Sequence, residues 1–256
     1  MVDDGRPDMA LEIEDQFVVN GMKLATMTQA IAYHGIKEQH GKCQRKATDY
    51  GIDRIRASIA DVNGIAPSDA MIWRAMRNNN ISRNVRGFLW KVTHKAYRLG
   101  NAWTDLGPEY ASQALCLGCG AEETMEHILL DCSIPGQEQV WSLTQGLWEK
   151  KGHMWPCLLL GLILGCMLYE PKSNVGKTLT GAARLFRIMI SESAHLIWKL
   201  QCERRIVNSD DPEKWPTDNE ITGHWVHMIK QRLTLDRLAN NPRKYGKRAI
   251  KKETVL

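Results

Sequence analysis

No stretch of this 256-residue chain is both apolar and long enough to cross a bilayer. The segment that could be mistaken for a span, CLLLGLILGCMLY (Cys157 to Tyr169), is thirteen uncharged residues where a spanning helix needs about twenty, so it reads as buried core. The start, MVDDGRPDMALEIEDQF, lacks the basic-then-apolar order of a secretory leader, and the expectation is a reducing, intracellular compartment. Alternating strand patterns and internal repeats are absent too, which turns the fold reading toward helices. One long stretch lacks acid: from Ala70 to Thr104 there is no Asp or Glu. Hydrophobic content of 43% and charge of 25% are ordinary, so composition itself allows a packed core.

What is present is helical periodicity. Lys23 to Gln39 places Leu24, Met27, Ile31 and Ile36 near one face, closed by Gly41. Tyr50 to Val62 repeats the pattern and stops at Asn63-Gly64; Pro67-Ser68 then offers a cap to DAMIWRAMRN. Ser82 caps a further helix expected to run to about Leu99. Gln137 to Lys151 carries Val140, Leu143, Leu147 and Trp148 at helical spacing. The longest candidate, Lys177 to Val207, has an apolar stripe wide enough for a central packing helix. The expected fold class is all-α, an irregular multi-helix domain with one small structural zinc module. Its expected order is an acidic connector over 1–22, a helical domain over 23–208 with the zinc module at about 111–135, a polar linker over 209–219, and a helix with a basic tail over 220–256.

Four of the chemistry-bearing residues crowd into one window. CLGCGAEETMEHILLDC spaces Cys116, Cys119, His127 and Cys132 as C-x2-C-x7-H-x4-C, while the other three cysteines after residue 132 and Cys43 stand alone. Thiolates two residues apart can grip one ion from a tight turn, for which Gly118 and Gly120 supply freedom. EETMEHILLDC then reads as a short helix that brings His127 round and returns Cys132. Three thiolates and an imidazole make a closed tetrahedral set, so one structural Zn2+ is expected, with no open position for hydrolytic chemistry. Glu122, Glu123 and Glu126 read as a solvated face.

At these residues a family resemblance enters. MIWRAMRNNNISRNVRGFLWKVTHKAYRLGNAW, the cysteine window and VWSLTQGLW together resemble the zinc-binding region at the C-terminal end of non-LTR retrotransposon reverse transcriptases. GMKLATMTQAIAYHGI, SESAHLIWKLQCERRI and HWVHMIKQRLTLDRL resemble the long fungal versions, so the likeness runs from about Phe17 onward. In those elements the region follows a reverse transcriptase and often an RNase H. The resemblance therefore implies a retroelement origin and a reverse transcriptase or RNase H encoded elsewhere as partner. Here no paired-aspartate strand turn is found: SDDP (Ser209 to Pro212) lies in a proline-flanked polar loop. The acids Asp3, Asp4, Asp8, Glu12, Glu14 and Asp15 form one run without strands to bring them onto two metal ions. No catalytic residues are assigned, and no small-molecule substrate or membrane partner is expected.

The acid-free stretch carries seven cations, Arg74, Arg77, Arg83, Arg86, Lys91, Lys95 and Arg98. On a helical wheel Val85, Phe88, Leu89, Val92, Ala96 and Leu99 share one face. Arg83, Arg86, Trp90, Lys91, Lys95, Tyr97 and Arg98 fall on the other and are the candidate contacts to RNA or DNA, without sequence specificity, because cations with aromatics suit phosphate tracking and base stacking. The competing reading is a solvated face with Trp90 packed on the zinc module. PRKYGKRAIKKE near the end is a second basic run (Arg243, Lys244, Lys247, Arg248, Lys251, Lys252) suited to an acidic partner or nuclear import, so the nucleus is favoured over the cytoplasm.

Three signals are set aside. SNVGKTLT lacks the leading glycine of a phosphate loop, HWVH (His224, His227) has no third ligand near it in sequence, and Ser191, Ser193 and His195 on one helix make no triad. Three functional readings remain: a nucleic-acid-binding module, a structural, assembly or decayed fragment, and a residual RNase H or reverse transcriptase.

Overall fold

Side-chain caps set where the early helices begin. The computed structural model describes residues 46–249 apart from residue 79, so the expected helix at Lys23–Gln39, the acidic connector and the last lysines of the tail lie outside the described residues. Helix α1 covers 46–63 and ends at Gly64, whose amide donates to the Ala60 carbonyl. Ser68 caps α2 (Asp69–Met76) by accepting from the Met71 amide, and Ser82 caps α3 (Arg83–Thr93) by accepting from Val85. Such caps satisfy amides that have no partner within the first helical turn. A short α4 (Asn101–Thr104) and a 3-10 turn (Pro108–Ala114) lead into the cysteine window.

After that window come α5 (Gln137–Lys150), α6 (Leu160–Leu164), α7 (Thr180–Cys202), α8 (Asp218–Ala239) and α9 (Pro242–Tyr245). The fold is all-α: among the described residues β pairing is confined to two isolated bridges, Leu115 with Glu122 and Lys172 with Thr178. Within the run from Cys157 to Tyr169, expected as core, Leu160–Met167 are buried, every residue of α6 included, whereas Cys157 and Leu159 are exposed. No described helix is long and apolar enough to cross a membrane.

The 23-residue α7 is the centre of the packing, buried on most of its circumference. It meets α3, α5, α6 and α8. Phe186 and Trp148 are both fully buried and meet edge-on at 5.3 Å between ring centroids. Two groups of polar side chains that enter this core are paired, as burial favours. The Thr144 hydroxyl lies 2.8 Å from that of Ser193, and the Trp225 indole N–H donates to both oxygens. Arg184 and Asp236, both buried, form a two-point ion pair, with Nη2 to Oδ1 at 2.6 Å, and Asn80 takes the Arg184 Nε–H at 3.3 Å.

Two expectations change. Helix α3 stops at Thr93 instead of about Leu99, because Lys95 adopts a left-handed conformation (φ 50°) and the Ala96 amide bonds back to the Lys91 carbonyl at 2.8 Å. A continued helix would carry Tyr97 onto the solvent face with Trp90. The turn instead lays its ring against Trp198, 4.3 Å away between centroids, and against Phe88 at 6.2 Å. The polar run 209–219, expected as a linker, packs against the body. Its Trp215 covers the metal loop, and α8 beyond it adds Ile221, Trp225 and Ile229 to the same core as α7.

Candidate metal centre

The window Ala114–Ile134 folds as a knuckle followed by a wide helical turn. The Cys116 amide donates to the Ala121 carbonyl, the Gly120 amide to Cys116 and the Glu123 amide to Ala114, all at 2.8 Å. These bonds fold Cys116 and Cys119 onto one side of the turn. Gly120 has φ of 73°, the left-handed value that favours glycine. Gly118 serves differently: a Cβ there would overlap the Ile134 side chain. The expected short helix is a π-turn, His127–Asp131, closed by the Cys132 amide on the His127 carbonyl at 2.8 Å. The Thr124 hydroxyl accepts from the His127 amide at 3.0 Å and steadies its start.

The four ligand atoms meet. The Sγ atoms of Cys116, Cys119 and Cys132 and a ring nitrogen of His127 all lie within 4.8 Å of one another. Cys116 Sγ stands 3.8 Å from Cys132 Sγ, and Cys119 Sγ 3.4 Å from His127 Nε2. A tetrahedral ion with bonds of about 2.3 Å to sulfur and 2.0–2.1 Å to nitrogen separates sulfurs by about 3.8 Å and sulfur from nitrogen by about 3.6 Å. The set fits, and it can hold a metal ion. The 3.8 Å gap is far beyond the S–S bond length of a disulfide, about 2.05 Å. Cys119 is exposed whereas Cys116, His127 and Cys132 are buried. The Ala121 amide, first among several donors, holds the Cys119 thiol below its ordinary value, while burial pushes the Cys132 thiol up to about 11. A coordinated cation reverses that second effect, because bound thiols are deprotonated outright.

Of the three nearby glutamates expected as a solvated face, Glu122 is exposed and Glu126 partly so, but Glu123 is buried. Glu123 is only 2% exposed, and its Oε1 accepts from Gln201 Nε2. Arg204 and Arg205, in the π-helical segment Glu203–Val207 that follows α7, approach its carboxylate at 3.8 and 3.9 Å, and both also reach Asp210. Arg205 further donates to the backbone carbonyls of Leu115 at 3.3 Å and Gln113 at 3.0 Å, clamping the knuckle to the long helix. Glu126 pairs with Arg54 of α1, and Glu122 accepts from the Asn101 amide at 3.2 Å. Trp215 lies over the apolar patch of Cys116, Cys132 and Ile134, with the Arg204 guanidinium 5.7 Å from its ring. Sequence reasoning missed all of these partners. The available hint was Glu123, four residues before His127 in the E-x-x-x-H spacing.

The candidate nucleic-acid residues are only partly gathered. Arg83, Trp90, Lys91, Lys95 and Arg98 are exposed and Arg86 is partly so. Among the described residues none of the seven cations between Ala70 and Thr104 enters an ion pair. Trp90, 47% exposed, rests on His94 at 4.1 Å rather than on the metal loop, and His94 stacks in turn on Trp73 at 5.4 Å. His94 Nδ1 lies 2.7 Å from the Thr48 hydroxyl, and burial holds its pKa below the ordinary value. Tyr97 leaves that face for the core, as described, and burial raises its hydroxyl to about 12. Lys91, Lys95 and Arg98 lie over the rings of Tyr97, Tyr50 and Trp103 at 5.8, 4.5 and 5.2 Å. In the basic run, Arg243, Lys244 and Lys247 are exposed.

His195, His224 and His227 line one cavity of about 400 Å³ with Glu192 and Glu203, a convergence hidden in the sequence. Among the described residues, though, the Cys/His quartet is the one group of three or more such side chains whose ligand atoms lie so close together. Comparison with protein-family models, with curated proteins and with solved structures finds no match.

Proposed function

We propose that this chain is a non-catalytic nucleic-acid-binding module, held together at one end by a structural zinc ion and derived from the tail of a non-LTR retrotransposon polyprotein. The metal assignment rests on donor chemistry: three thiolates and one imidazole at tetrahedral spacing suit zinc and leave no open position. Cys116, Cys119, His127 and Cys132 would hold it. With three thiolates and a neutral imidazole the loaded centre would carry a net charge of −1; Arg204 and Arg205 lie beside the knuckle, but Glu123 and Asp210 already match their two charges. When bound, the ion supplies cross-linking of the knuckle to the π-turn. The retroelement origin is carried by the order of residues quoted above.

The observation that carries the binding reading is the acid-free stretch Ala70–Thr104, which takes in α2 beyond Asp69 and all of α3, and whose arginines and lysines have no carboxylate partners among the described residues. Cations free of internal ion pairs can exchange counterions for phosphates, the main source of sequence-independent affinity. Trp90 stands exposed among them as a stacking platform. The test is a fluorescence-anisotropy titration of a single-stranded RNA 12-mer with the zinc-loaded chain across a salt series. If Arg83, Arg86 and Lys91 each meet a phosphate, log affinity falls by about 2 per log unit of salt, at roughly 0.7 per contact. Arg83→Glu with Lys91→Glu should remove most of that slope. No binding at low salt would end the reading.

An assembly role is the second reading. Leu115, Leu117, Ile206 and Val207 are exposed apolar side chains on either side of the Arg205–Leu115 hydrogen bond. Sedimentation of the chain over a concentration series decides it, self-association favouring assembly.

A further inference from the structure

The end of α3 opens onto a cavity of about 480 Å³, within the usual size of small-ligand sites. Its floor is apolar, from Val92, Leu99, Met125, Leu160 and Leu164. Its rim is not. Tyr50 projects from α1 with 51% of its surface exposed, and Lys95 and Arg54 hold their charges 4.5 and 5.6 Å from its ring centroid. Arg54 is already matched by Glu126, whereas Lys95 has no ion pair. Glu122, Glu126 and Thr124 also line the cavity. Lys95 is brought to this mouth by its left-handed backbone, a conformation costly for a side chain other than glycine.

We propose that this cavity holds one nucleotide unit, its base lying on the Tyr50 ring and its phosphate on Lys95. The chemistry of the rim selects that class. A half-exposed aromatic face with a cation beside it suits a flat base, since stacking is open to every base. An unpaired ammonium beside it suits a phosphate, for which Lys95 would leave the ring. The Glu122 carboxylate accepts hydrogen bonds only, which suits a base edge carrying N–H donors. Position supports the same assignment: Lys95 is two residues beyond the last residue of the basic helix, so a strand tracking Arg83, Arg86 and Lys91 arrives at this opening. A free phosphate would use Lys95 alone, and a purely apolar ligand would leave the charged rim unmatched.

The inference deepens the nucleic-acid reading and rests on it for the class of ligand. The test keeps the two apart by titrating the full zinc-loaded chain with guanosine monophosphate by calorimetry, with inorganic phosphate as control and the RNA 12-mer in parallel. The expected result is saturable mononucleotide binding with Kd below about 1 mM, ordinary for a ligand of this size, and phosphate at least tenfold weaker. Two substitutions at exposed positions, Tyr50→Ala and Ala102→Trp, should each weaken the mononucleotide at least tenfold, the first by removing the stacking face and the second by filling the cavity. Arg83→Glu with Lys91→Glu should weaken the 12-mer and leave the mononucleotide unchanged. Absence of mononucleotide binding, equal binding of phosphate, or binding unmoved by both cavity variants would overturn the proposal, even if the 12-mer binds. Mononucleotide binding without 12-mer binding would instead uphold the cavity and remove the strand-tracking surface.

Discussion

Around α7 the chain packs Trp148, Phe186, Met189 and Ile190 out of reach of water, whereas the metal loop has an apolar cluster of its own made only of Cys116, Cys132 and Ile134, with Trp215 laid over it. The helical body can be held by burial, at roughly 25 cal/mol for each Å² of apolar surface removed from water. The loop cannot. It depends on four donor side chains, on the Arg204–Arg205 clamp, and on whatever ion joins the donors. The two regions should therefore fail separately, and perturbations can be chosen to separate them.

Removing a metal ligand should have the largest effect, and a local one. Cys119→Ser should lower zinc content well below one per chain and expose the amides of residues 115–134 to hydrogen exchange, since metal binding and folding are coupled in such segments. Amides of α7 should stay protected; loss of protection across both regions at once would show that they are one cooperative unit. Phe186→Ala should do the reverse. A cavity beside Trp148 costs about 3–5 kcal/mol in denaturant unfolding, with zinc stoichiometry unchanged while the chain is folded. A parallel loss of zinc would break the separation.

Glu123→Gln tests the seam between the two. It keeps the shape but removes the charge facing Arg204 and Arg205, and should cost about 1–3 kcal/mol. It should also weaken zinc retention against a chelator without abolishing it. The smallest expected effect is at His195, which burial first and Lys199 second hold below the ordinary histidine value of 6.5. Between that depressed value and 6.5 the unfolded chain takes up a proton that the folded chain refuses. Stability contributed there is present above 6.5 and lost as pH falls through the window. His195→Gln should thus flatten the fall in melting temperature between pH 7.5 and 5.5; an unaltered slope would place the titration elsewhere.

What could be read in the sequence was local. Ser68 and Ser82 announce helix starts because a cap and its amides lie within one turn. The metal quartet was legible for the same reason, with all four donors inside seventeen residues. The clamp was not, since Glu123 and its partner Gln201 are 78 residues apart and nothing in periodicity pairs them. Nor was the early end of α3, where the left-handed residue is Lys95 in place of the usual glycine. Burial of Tyr97 against Trp198, a hundred residues along the chain, goes with that turn. His195, His224 and His227 sharing one cavity is a third long-range convergence of this kind.

The most direct test of the account is X-ray absorption at the zinc edge of the purified chain, together with elemental analysis. The account predicts one zinc per chain, with three sulfur neighbours at about 2.3 Å and one nitrogen at about 2.0–2.1 Å. A chain that folds fully and takes up no zinc, or an ion surrounded by oxygen, would contradict it.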